Sequence, residues 1–283
     1  MLAIGHYGSP DTHLLPRICP SQLRSKIKMK TLNQYLEEAR NRHYAIGHFN
    51  FATEDVLRGI VEASRDAGLG VGSWGGALAR PGNSVAPAVM VGTSEGEAGF
   101  IGMKEAVAAV RALREDLGYP VFLNADHYKS FEKCKEAVDA GYDSIIIDAS
   151  KLPNEENIAL TKMVVDYCRL VNPEISVEGE LGYLRGSSEV QQKIEISSAD
   201  YSKPEEVADF VSRTGVDRMA IVFGNIHGIV TEQEEKLDIE HFSKIVATEP
   251  RPYYVLHGAS GLKDEEGEQV IICLINFLVI GQK

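Results

Sequence analysis

The stretch Tyr119-Pro-Val-Phe-Leu-Asn-Ala-Asp-His-Tyr128 contains the pattern from which the fold is predicted. Val121–Leu123 are β-forming residues behind a proline, which predicts a short buried strand. The strand places Asp126 and His127 side by side at its carboxyl end. A carboxylate beside an imidazole is a candidate acid/base next to a candidate metal ligand. Alone the pair is weak evidence, because an Asp-His dipeptide at a strand end also fits an ordinary turn.

The same arrangement recurs twice further along the chain. His227 follows the apolar run Met219–Phe223, and His257 follows Tyr253–Leu256. A single histidine is more often a satisfied polar residue than a ligand, but three at the same place relative to three strands favour a metal site. The remaining histidines have no such context and are interpreted as ordinary polar residues: His6, His13, His43, His48 and His241.

Apolar strand patterns alternate with helical patterns along most of the chain, which indicates the α/β class. The predicted strands are Tyr44–Phe49, Ala88–Gly92, Val121–Leu123, Ser144–Ile147, Ile175–Val177, Met219–Phe223 and Tyr253–Leu256. The predicted helices are Thr31–Arg42, Glu54–Ala67, Met103–Leu117, Phe131–Ala140, Asn154–Val171, Pro204–Thr214 and Ile239–Ala247. Strands that are apolar throughout and separated by helices imply a parallel sheet covered on its faces.

A doubly wound sheet and a (β/α)8 barrel both fit this alternation. The glycine fingerprint of a dinucleotide-binding doubly wound fold is absent from the first helix. Polar residues follow nearly every strand instead: Asn50, Ser94, Asp126, His127, Asp148, Glu180, His227 and His257. Because active sites of (β/α)8 barrels are assembled at the carboxyl ends of the strands, the sequence predicts a (β/α)8, or TIM, barrel.

Closing the strands into a ring would bring His127, His227 and His257 together. Three imidazoles with an open position are a ligand set suited to catalytic Zn²⁺. Asp148 and Glu180 follow neighbouring strands and are candidate oxygen ligands or hydrogen-bond partners of the ligands.

Glycine turns follow two of these histidines, at His227-Gly228 and at His257-Gly-Ala-Ser-Gly261. The backbone N–H groups of such turns can cradle a phosphate. A metal, a carboxylate and a phosphate site together suit carbonyl chemistry on a sugar phosphate.

Composition excludes several other classes of function. The formal net charge of −12 argues against nucleic-acid binding, which needs clustered Lys and Arg. No window is long enough to span a membrane. The four cysteines lie far apart, with Cys134 at the spacing of a buried helical face, so we expect no disulfide framework and a cytoplasmic location.

Two segments lack the regular pattern. Residues 1–28 predict either a disordered extension or an upstream mis-start with Met29 as the natural beginning, and both are favoured over a transit peptide. Residues 29–283 predict a single barrel domain. Residues 70–87 are rich in glycine, serine and proline and predict a loop or insertion. Two further stretches between the predicted elements, Thr93–Glu97 and Gly182–Ser202, predict a turn and a polar loop.

Five motifs resemble the class II, zinc-dependent ketose-bisphosphate aldolases, a family that includes fructose- and tagatose-bisphosphate aldolases. They are Asn-Ala-Asp126-His127, Ile-Ile-Asp148-Ala-Ser, Val-Glu-Gly-Glu180-Leu-Gly, Phe-Gly-Asn-Ile-His227-Gly and Leu-His257-Gly-Ala-Ser-Gly. The resemblance runs from Met29 to Leu262, with a break at residues 70–87. It implies a dimeric or tetrameric (β/α)8 barrel that cleaves a ketose 1,6-bisphosphate to dihydroxyacetone phosphate and glyceraldehyde 3-phosphate.

The resemblance also implies roles for individual residues. Asp126 would take the proton of the C4 hydroxyl, and Glu189 would move a proton at the dihydroxyacetone-phosphate carbon. The implied zinc ligands are His127, His227 and His257, and Asp148 and Glu180 match the position of a second divalent ion. The implied phosphate site is Gly228 with Gly258, Ala259 and Ser260, where a monovalent cation often helps. Asn50 and Ser94 match residues nearer the other end of the substrate.

The end of the chain departs from the family pattern. After Leu262 come an acidic run, Asp264–Glu268, and an apolar tail, Gln269–Ile280, without the expected phosphate-contacting pattern. We therefore predict a barrel that is incomplete at this end, with strand 8 and helix 8 missing or altered. A weakened phosphate site and reduced stability would follow.

The sequence alone leaves three hypotheses for the function. The first is zinc-dependent cleavage of fructose 1,6-bisphosphate, or of tagatose 1,6-bisphosphate. The second is a degenerate, metal-binding relative without turnover, which the altered tail favours and the intact Asp126 opposes. The third, a metal-dependent hydrolase, is disfavoured because its carboxylated-lysine and His-x-His signatures are missing.

Overall fold

The computed structural model describes residues 29–42, 44–66, 88–182, 186–191, 194, 197–230, 236–258 and 279–282. Contacts divide the chain into two units, Met1–Lys30 and Thr31–Lys283. All helices and strands given below belong to the second unit. The predicted extension 1–28 and the predicted insertion 70–87 lie outside the described residues.

Parallel strands of the described chain pair side by side and close into a ring. In order around the ring they are β1 (Ile46–Asn50), β2 (Val89–Thr93), β3 (Val121–Tyr128), β4 (Ser144–Ile147), β5 (Ser176–Leu181), β7 (Arg218–Ile221), β9 (Tyr253–Leu256) and β10 (Val279–Gln282). Each sequence-predicted strand is found here, and the α/β class with a parallel sheet is confirmed.

One helix precedes β1, and the other described helices lie between the ring strands from β1 to β9. They are α1 (Leu32–Arg42), α2 (Glu54–Asp66), α3 (Glu95–Ile101), α4 (Met103–Leu117), α5 (Phe131–Ala140), α6 (Asn154–Val171), α7 (Pro204–Thr214) and α8 (Ile239–Thr248). Local signals explain their ends. Ser130 caps α5 by accepting a hydrogen bond from the backbone N–H of Lys133, and Gly141 ends that helix with a φ of 103°.

Two predictions of irregular structure are wrong. The predicted turn Thr93–Glu97 instead contains the start of helix α3, which runs to Ile101, because Ser94 and Glu97 make a reciprocal capping box there. The predicted loop between Gly182 and Ser202 contains strand β6 (Gly186–Gln191), which pairs with β8 (His227–Val230) in a small second sheet. A pairing between segments this far apart has no local sequence signal.

The tail of the chain supplies the eighth strand. Val279 and Ile280 of β10 pair with Ile46 and Gly47 of β1, and on the other side with β9. The eighth strand is therefore altered rather than missing. Residues 259–278, where a closing helix would lie, are outside the described residues.

The two faces of the strands differ in polarity because side chains alternate between them. Alternate residues such as Leu123, Ile145 and Val177 join the helices in one continuous apolar core. The positions between them carry the buried polar residues of the ring: Asn124, Ser144, Ser176, Glu178 and Arg218. The apolar face of the strands thus packs against the helices, and the opposite face carries polar side chains inside the ring.

Arginine–aspartate pairs tie helices to the amino ends of the strands. Arg114 of α4 donates to the carbonyl oxygen of Val121 and pairs with Asp143 at 2.6 Å, and the same aspartate oxygen accepts the backbone N–H of Leu123. Arg169 of α6 makes the same set of contacts. It donates to the carbonyl oxygen of Ile175 and to a carboxylate oxygen of Asp217, and that oxygen also accepts the backbone N–H of Val177. These pairs lie at the amino ends of the strands, whereas the residues predicted to form the site lie at the carboxyl ends.

Among the described helices, none combines the length and the apolar character needed to cross a membrane. The two described cysteines, Cys134 and Cys168, are buried free thiols, as expected for Cys134 from its helical spacing. Burial raises the pKa of the Cys134 thiol well above its ordinary value.

Candidate active site

A distortion in β3 positions the two residues first noted in the sequence. The pairing of β3 with β4 shifts register between Ala125 and Tyr128, and His127 has a φ of 52°. Neighbouring side chains of a regular strand point to opposite faces, and a bulge breaks that alternation. Asp126 and His127 can therefore both belong to a site at the carboxyl end of β3. A regular strand would direct their side chains to opposite faces.

His127 joins the ends of three strands. Its Nδ1 atom lies 3.3 Å from an oxygen of Asp148, after β4, and 3.2 Å from an oxygen of Glu180, in β5. The His127 and His257 rings lie 4.6 Å apart, centroid to centroid. Potential ligand atoms of His127, Glu180 and His257 all lie within 4.8 Å of one another, so these residues could hold a metal ion.

His257 is held by a carboxylate inside the ring. Its Nε2 atom lies 2.8 Å from Oε1 of Glu178, which is fully buried. The other oxygen of Glu178 lies 2.9 Å from Nη1 of Arg218, which is also fully buried. Burial favours the neutral form of Glu178, but Arg218 and the hydrogen bond from His257 outweigh it and hold the pKa of Glu178 below its ordinary value.

Asp126 is 1% exposed and is oriented by Asn50. The Asn50 side-chain amide donates to Oδ2 of Asp126 at 2.8 Å and to Oε2 of Glu97 at 3.0 Å. The same Glu97 oxygen accepts the backbone N–H of Ser94 and lies 2.8 Å from the Ser94 hydroxyl. The capping box of α3 thus reaches Asp126 through Asn50.

The carboxylates around His127 stabilise its charged form. Burial alone would lower the pKa of His127, but the charge of Asp126 and the contacts with Asp148 and Glu180 raise it well above its ordinary value. Burial likewise opposes the charge of Asp148, yet its hydrogen bonds with His127 and Ser150 lower the pKa of that carboxyl. The cluster therefore has an excess of negative charge, which favours a cation.

The structure brings together most of the predicted site residues that it describes. Asn50, Asp126, His127, Asp148, Glu180 and His257 lie within one network, and Ser94 joins it through Glu97. Gly258 follows directly, with a φ of 79° in the region that favours glycine.

Other predicted residues are described only as backbone or not at all. The side chains of Glu189 and His227 are outside the described residues, as are Ala259 and Ser260. The backbone still shows that β6, which contains Glu189, pairs with β8, which contains His227 and Gly228.

Sequence reasoning gave no role to Glu97, Glu178 or Arg218. Glu97 is three residues after Ser94, so the capping-box spacing could have revealed it. Glu178 stands two residues before Glu180, on the same face of one strand. Arg218 opens an otherwise apolar strand, and a charge at such a position is a signal of a buried ion pair.

Comparison with known proteins points in the same direction. A family model described as Fructose-bisphosphate aldolase class-II matches residues 76–276. The chain is 34% identical over 244 residues to a fructose-bisphosphate aldolase of Staphylococcus aureus (strain Mu50 / ATCC 700699), covering 85% of this chain and 77% of that relative. It is also 34% identical over 248 residues to a fructose-bisphosphate aldolase of Geobacillus stearothermophilus, covering 87% of this chain and 78% of that relative.

Solved structures show the same likeness. The YdjI aldolase from Escherichia coli K12 aligns with a TM-score of 0.70 and 28% identity, over 88% of this chain and 80% of that one. A putative fructose-1,6-biphosphate aldolase from Coccidioides immitis aligns with a TM-score of 0.71 and 25% identity, over 90% of this chain and 82% of that one. With the family model spanning most of the sequence, the chain belongs to the class-II fructose-bisphosphate aldolase family and is an aldolase, a carbon–carbon lyase.

Proposed function

We propose that the chain is a zinc-dependent aldolase that reversibly cleaves fructose 1,6-bisphosphate to dihydroxyacetone phosphate and glyceraldehyde 3-phosphate. The observation that carries this proposal is the convergence of a buried carboxylate, Asp126, with a cluster of potential metal ligands at the ends of β3, β5 and β9. The substrate is proposed from the names of the relatives.

The described residues fit a zinc ion. His127, His257 and Glu180 offer two imidazole nitrogens and a carboxylate oxygen, which are donor types that zinc prefers. We assign the third imidazole to His227, and a second divalent ion to Asp148 and Glu180. When bound, zinc supplies a Lewis acid that polarises the substrate ketone.

Asp126 is assigned the acid–base step at C4. Its carboxylate accepts the proton of the C4 hydroxyl as the C3–C4 bond breaks, and the C4 oxygen becomes the aldehyde oxygen of glyceraldehyde 3-phosphate. The electron pair of the broken bond stays on the dihydroxyacetone-phosphate fragment as an enediolate. Asn50 keeps the carboxylate of Asp126 in one orientation throughout.

The remaining predicted residues complete the proposal. Glu189 supplies the proton that C3 of the enediolate takes up. Gly228 with Gly258, Ala259 and Ser260 binds one phosphate through backbone N–H groups, with a monovalent cation nearby. Asn50 and Ser94 face the other end of the substrate. A TIM barrel with an altered eighth unit, assembled as a homodimer or homotetramer, is the proposed framework.

The test is cleavage of fructose 1,6-bisphosphate by the purified full chain, coupled to triose-phosphate detection. We expect turnover with added Zn²⁺ and its loss with a chelator. Tagatose 1,6-bisphosphate, measured in parallel, decides the preferred sugar. A folded, zinc-loaded chain without turnover on either sugar would establish the degenerate, metal-binding reading instead.

The role of Asp126 is tested by Asp126→Asn. Removing a general base typically costs about 10²–10⁴ in rate, so we expect a drop in kcat of that order with zinc still bound. Asp166→Asn is the matched control, because Asp166 is exposed on α6 and pairs with Lys162 of the same helix. Equal activity of the two variants would contradict the assignment.

A further inference from the structure

We propose that Glu178 and Arg218 act as positioning residues that fix the proton of His257 on Nε2, so that Nδ1 is left as the metal-binding atom. The inference rests on the proposed metal site, but it concerns an ion pair and a hydrogen bond that exist in the chain without metal. An imidazole binds a metal only through its unprotonated nitrogen, and the partner of the other nitrogen decides which one that is.

The two oxygens of Glu178 have different partners. Oε2 forms an ion pair with Arg218 Nη1 at 2.9 Å, and a guanidinium carries only N–H groups and no acceptor. Oε1 faces His257 Nε2 at 2.8 Å, and an ionised carboxylate can only accept. The proton between Glu178 and His257 therefore belongs to Nε2.

Arg218 is itself held from two further strands. Its Nη2 lies 3.3 Å from Oδ1 of Asn124 and also donates to the hydroxyl of Ser144. Arg218 and Glu178 are both 0% exposed, so bulk water does not compete for their contacts. The carboxylate that faces His257 is thus anchored across β3, β4, β5 and β7.

Strand β5 carries two carboxylates, and each contacts a different imidazole. Glu178 and Glu180 are two residues apart and on the same face. Glu178 contacts His257, and Glu180 contacts His127 at 3.2 Å. Glu180 belongs to the group that could hold the metal, whereas Glu178 acts one contact further away, through His257.

Glu178→Gln is the decisive variant because it nearly preserves shape. Its single carbonyl oxygen cannot face both donors, and Arg218, which is always protonated, requires an acceptor. The amide NH₂ group then faces His257, which must accept at Nε2 and carry its proton on Nδ1. The metal-binding nitrogen would be blocked.

Two measurements on the full chain test this. Histidine side-chain ¹⁵N–¹H correlation spectra of the metal-free protein report the tautomer, with the His257 signal identified by its loss in His257→Gln. Competition with a chromophoric chelator gives the affinity for Zn²⁺ alone. We expect Nε2–H in wild type, Nδ1–H in Glu178→Gln, and about 10- to 100-fold weaker zinc binding in that variant.

Controls separate positioning from general destabilisation. Arg114→Met removes another arginine–carboxylate pair, remote from the site, and should leave the tautomer and zinc affinity unchanged. Arg218→Lys keeps the charge but not the fork of donors, and should weaken zinc binding less than Glu178→Gln does.

Two results would overturn the proposal. One is a wild-type His257 protonated at Nδ1, which needs no variant to fold. The other is a folded Glu178→Gln with wild-type tautomer and zinc affinity. Neither depends on turnover, so a chain that fails to cleave fructose 1,6-bisphosphate can still confirm or refute this role of Glu178.

Discussion

His48 lies inside the ring, 3% exposed, with Nε2 located 3.3 Å from the side-chain nitrogen of Asn124. Burial lowers the pKa of His48 from 6.5 to about 4, although the negative charges of Asp126 and Glu178 oppose the shift. The native protein therefore holds His48 neutral at a pH where the unfolded chain binds a proton.

This difference predicts a loss of stability in acid. Because the folded pKa is the lower one, the contribution of His48 is complete above pH 6.5 and is lost as pH falls towards 4. At about 1.4 kcal/mol per pKa unit, wild type should lose about 3 kcal/mol more than His48→Gln between pH 7 and pH 4. Urea unfolding followed by circular dichroism measures both proteins. Parallel pH curves would show that His48 does not titrate as inferred.

For single residues, the sequence predicts membership of the site when a residue directly follows a strand. It does not predict it for residues whose role depends on a partner distant in sequence. Asp126 and His257 were identified from position alone, and both lie in the site. Arg218 meets Glu178 from a separate strand, and no local pattern shows which charges will share one buried space. The bulge at His127 was also unforeseen, because it depends on how β3 pairs with β4.

At the scale of elements, Gly92 of β2 pairs with Asn50 of β1 and leaves no room for a side chain. A Cβ atom on Gly92 would lie 2.3 Å from His48 Nε2 and 3.0 Å from Asn50 Oδ1. Both neighbours are held by hydrogen bonds, so neither can move without breaking a contact.

We therefore expect Gly92→Ala to destabilise the protein by about 1–3 kcal/mol and to lower kcat by displacing Asn50 from Asp126. Gly99→Ala is the matched control, because nothing lies within 4 Å of the added Cβ. Its helical position should make it neutral or up to about 1 kcal/mol more stable. Thermal unfolding and steady-state kinetics compare the two, and similar effects would contradict the steric explanation.

The Arg114–Asp143 pair should matter for stability alone. Arg114→Met or Asp143→Asn removes a charged hydrogen bond worth about 1.5–3 kcal/mol in unfolding. The double variant should lose less than the sum of the single losses, since the residues act as one pair. Urea unfolding measures the cycle, and a change in zinc affinity would show that the effect reaches the site.

For the molecule as a whole, β10 decides whether the ring is closed. It pairs with β1 on one side and β9 on the other, so its removal would leave two strand edges unpaired. Deleting residues 279–283 should lower the melting temperature and cause aggregation on size-exclusion chromatography. A truncated chain that melts and elutes like the full chain would show that closure is dispensable.

Sequence predicted the general fold because the pattern of strand and helix repeats along the chain. It failed at β6 and α3, and it did not show how β10 pairs. β6 and β10 are defined by partners distant in sequence, and α3 by a capping box short enough to resemble a turn. The tail that forms β10 lacks the expected motif, so its sequence indicated an altered strand without revealing its pairing.

The two arginine–aspartate pairs lie at the amino ends of the strands, away from Asp126 and the imidazoles. Directed evolution of this chain towards other aldehyde acceptors can therefore concentrate its variation on the segments that follow the strands. The amino ends of the strands should be kept unchanged in such libraries. The stability that they provide allows the protein to tolerate destabilising substitutions in the site.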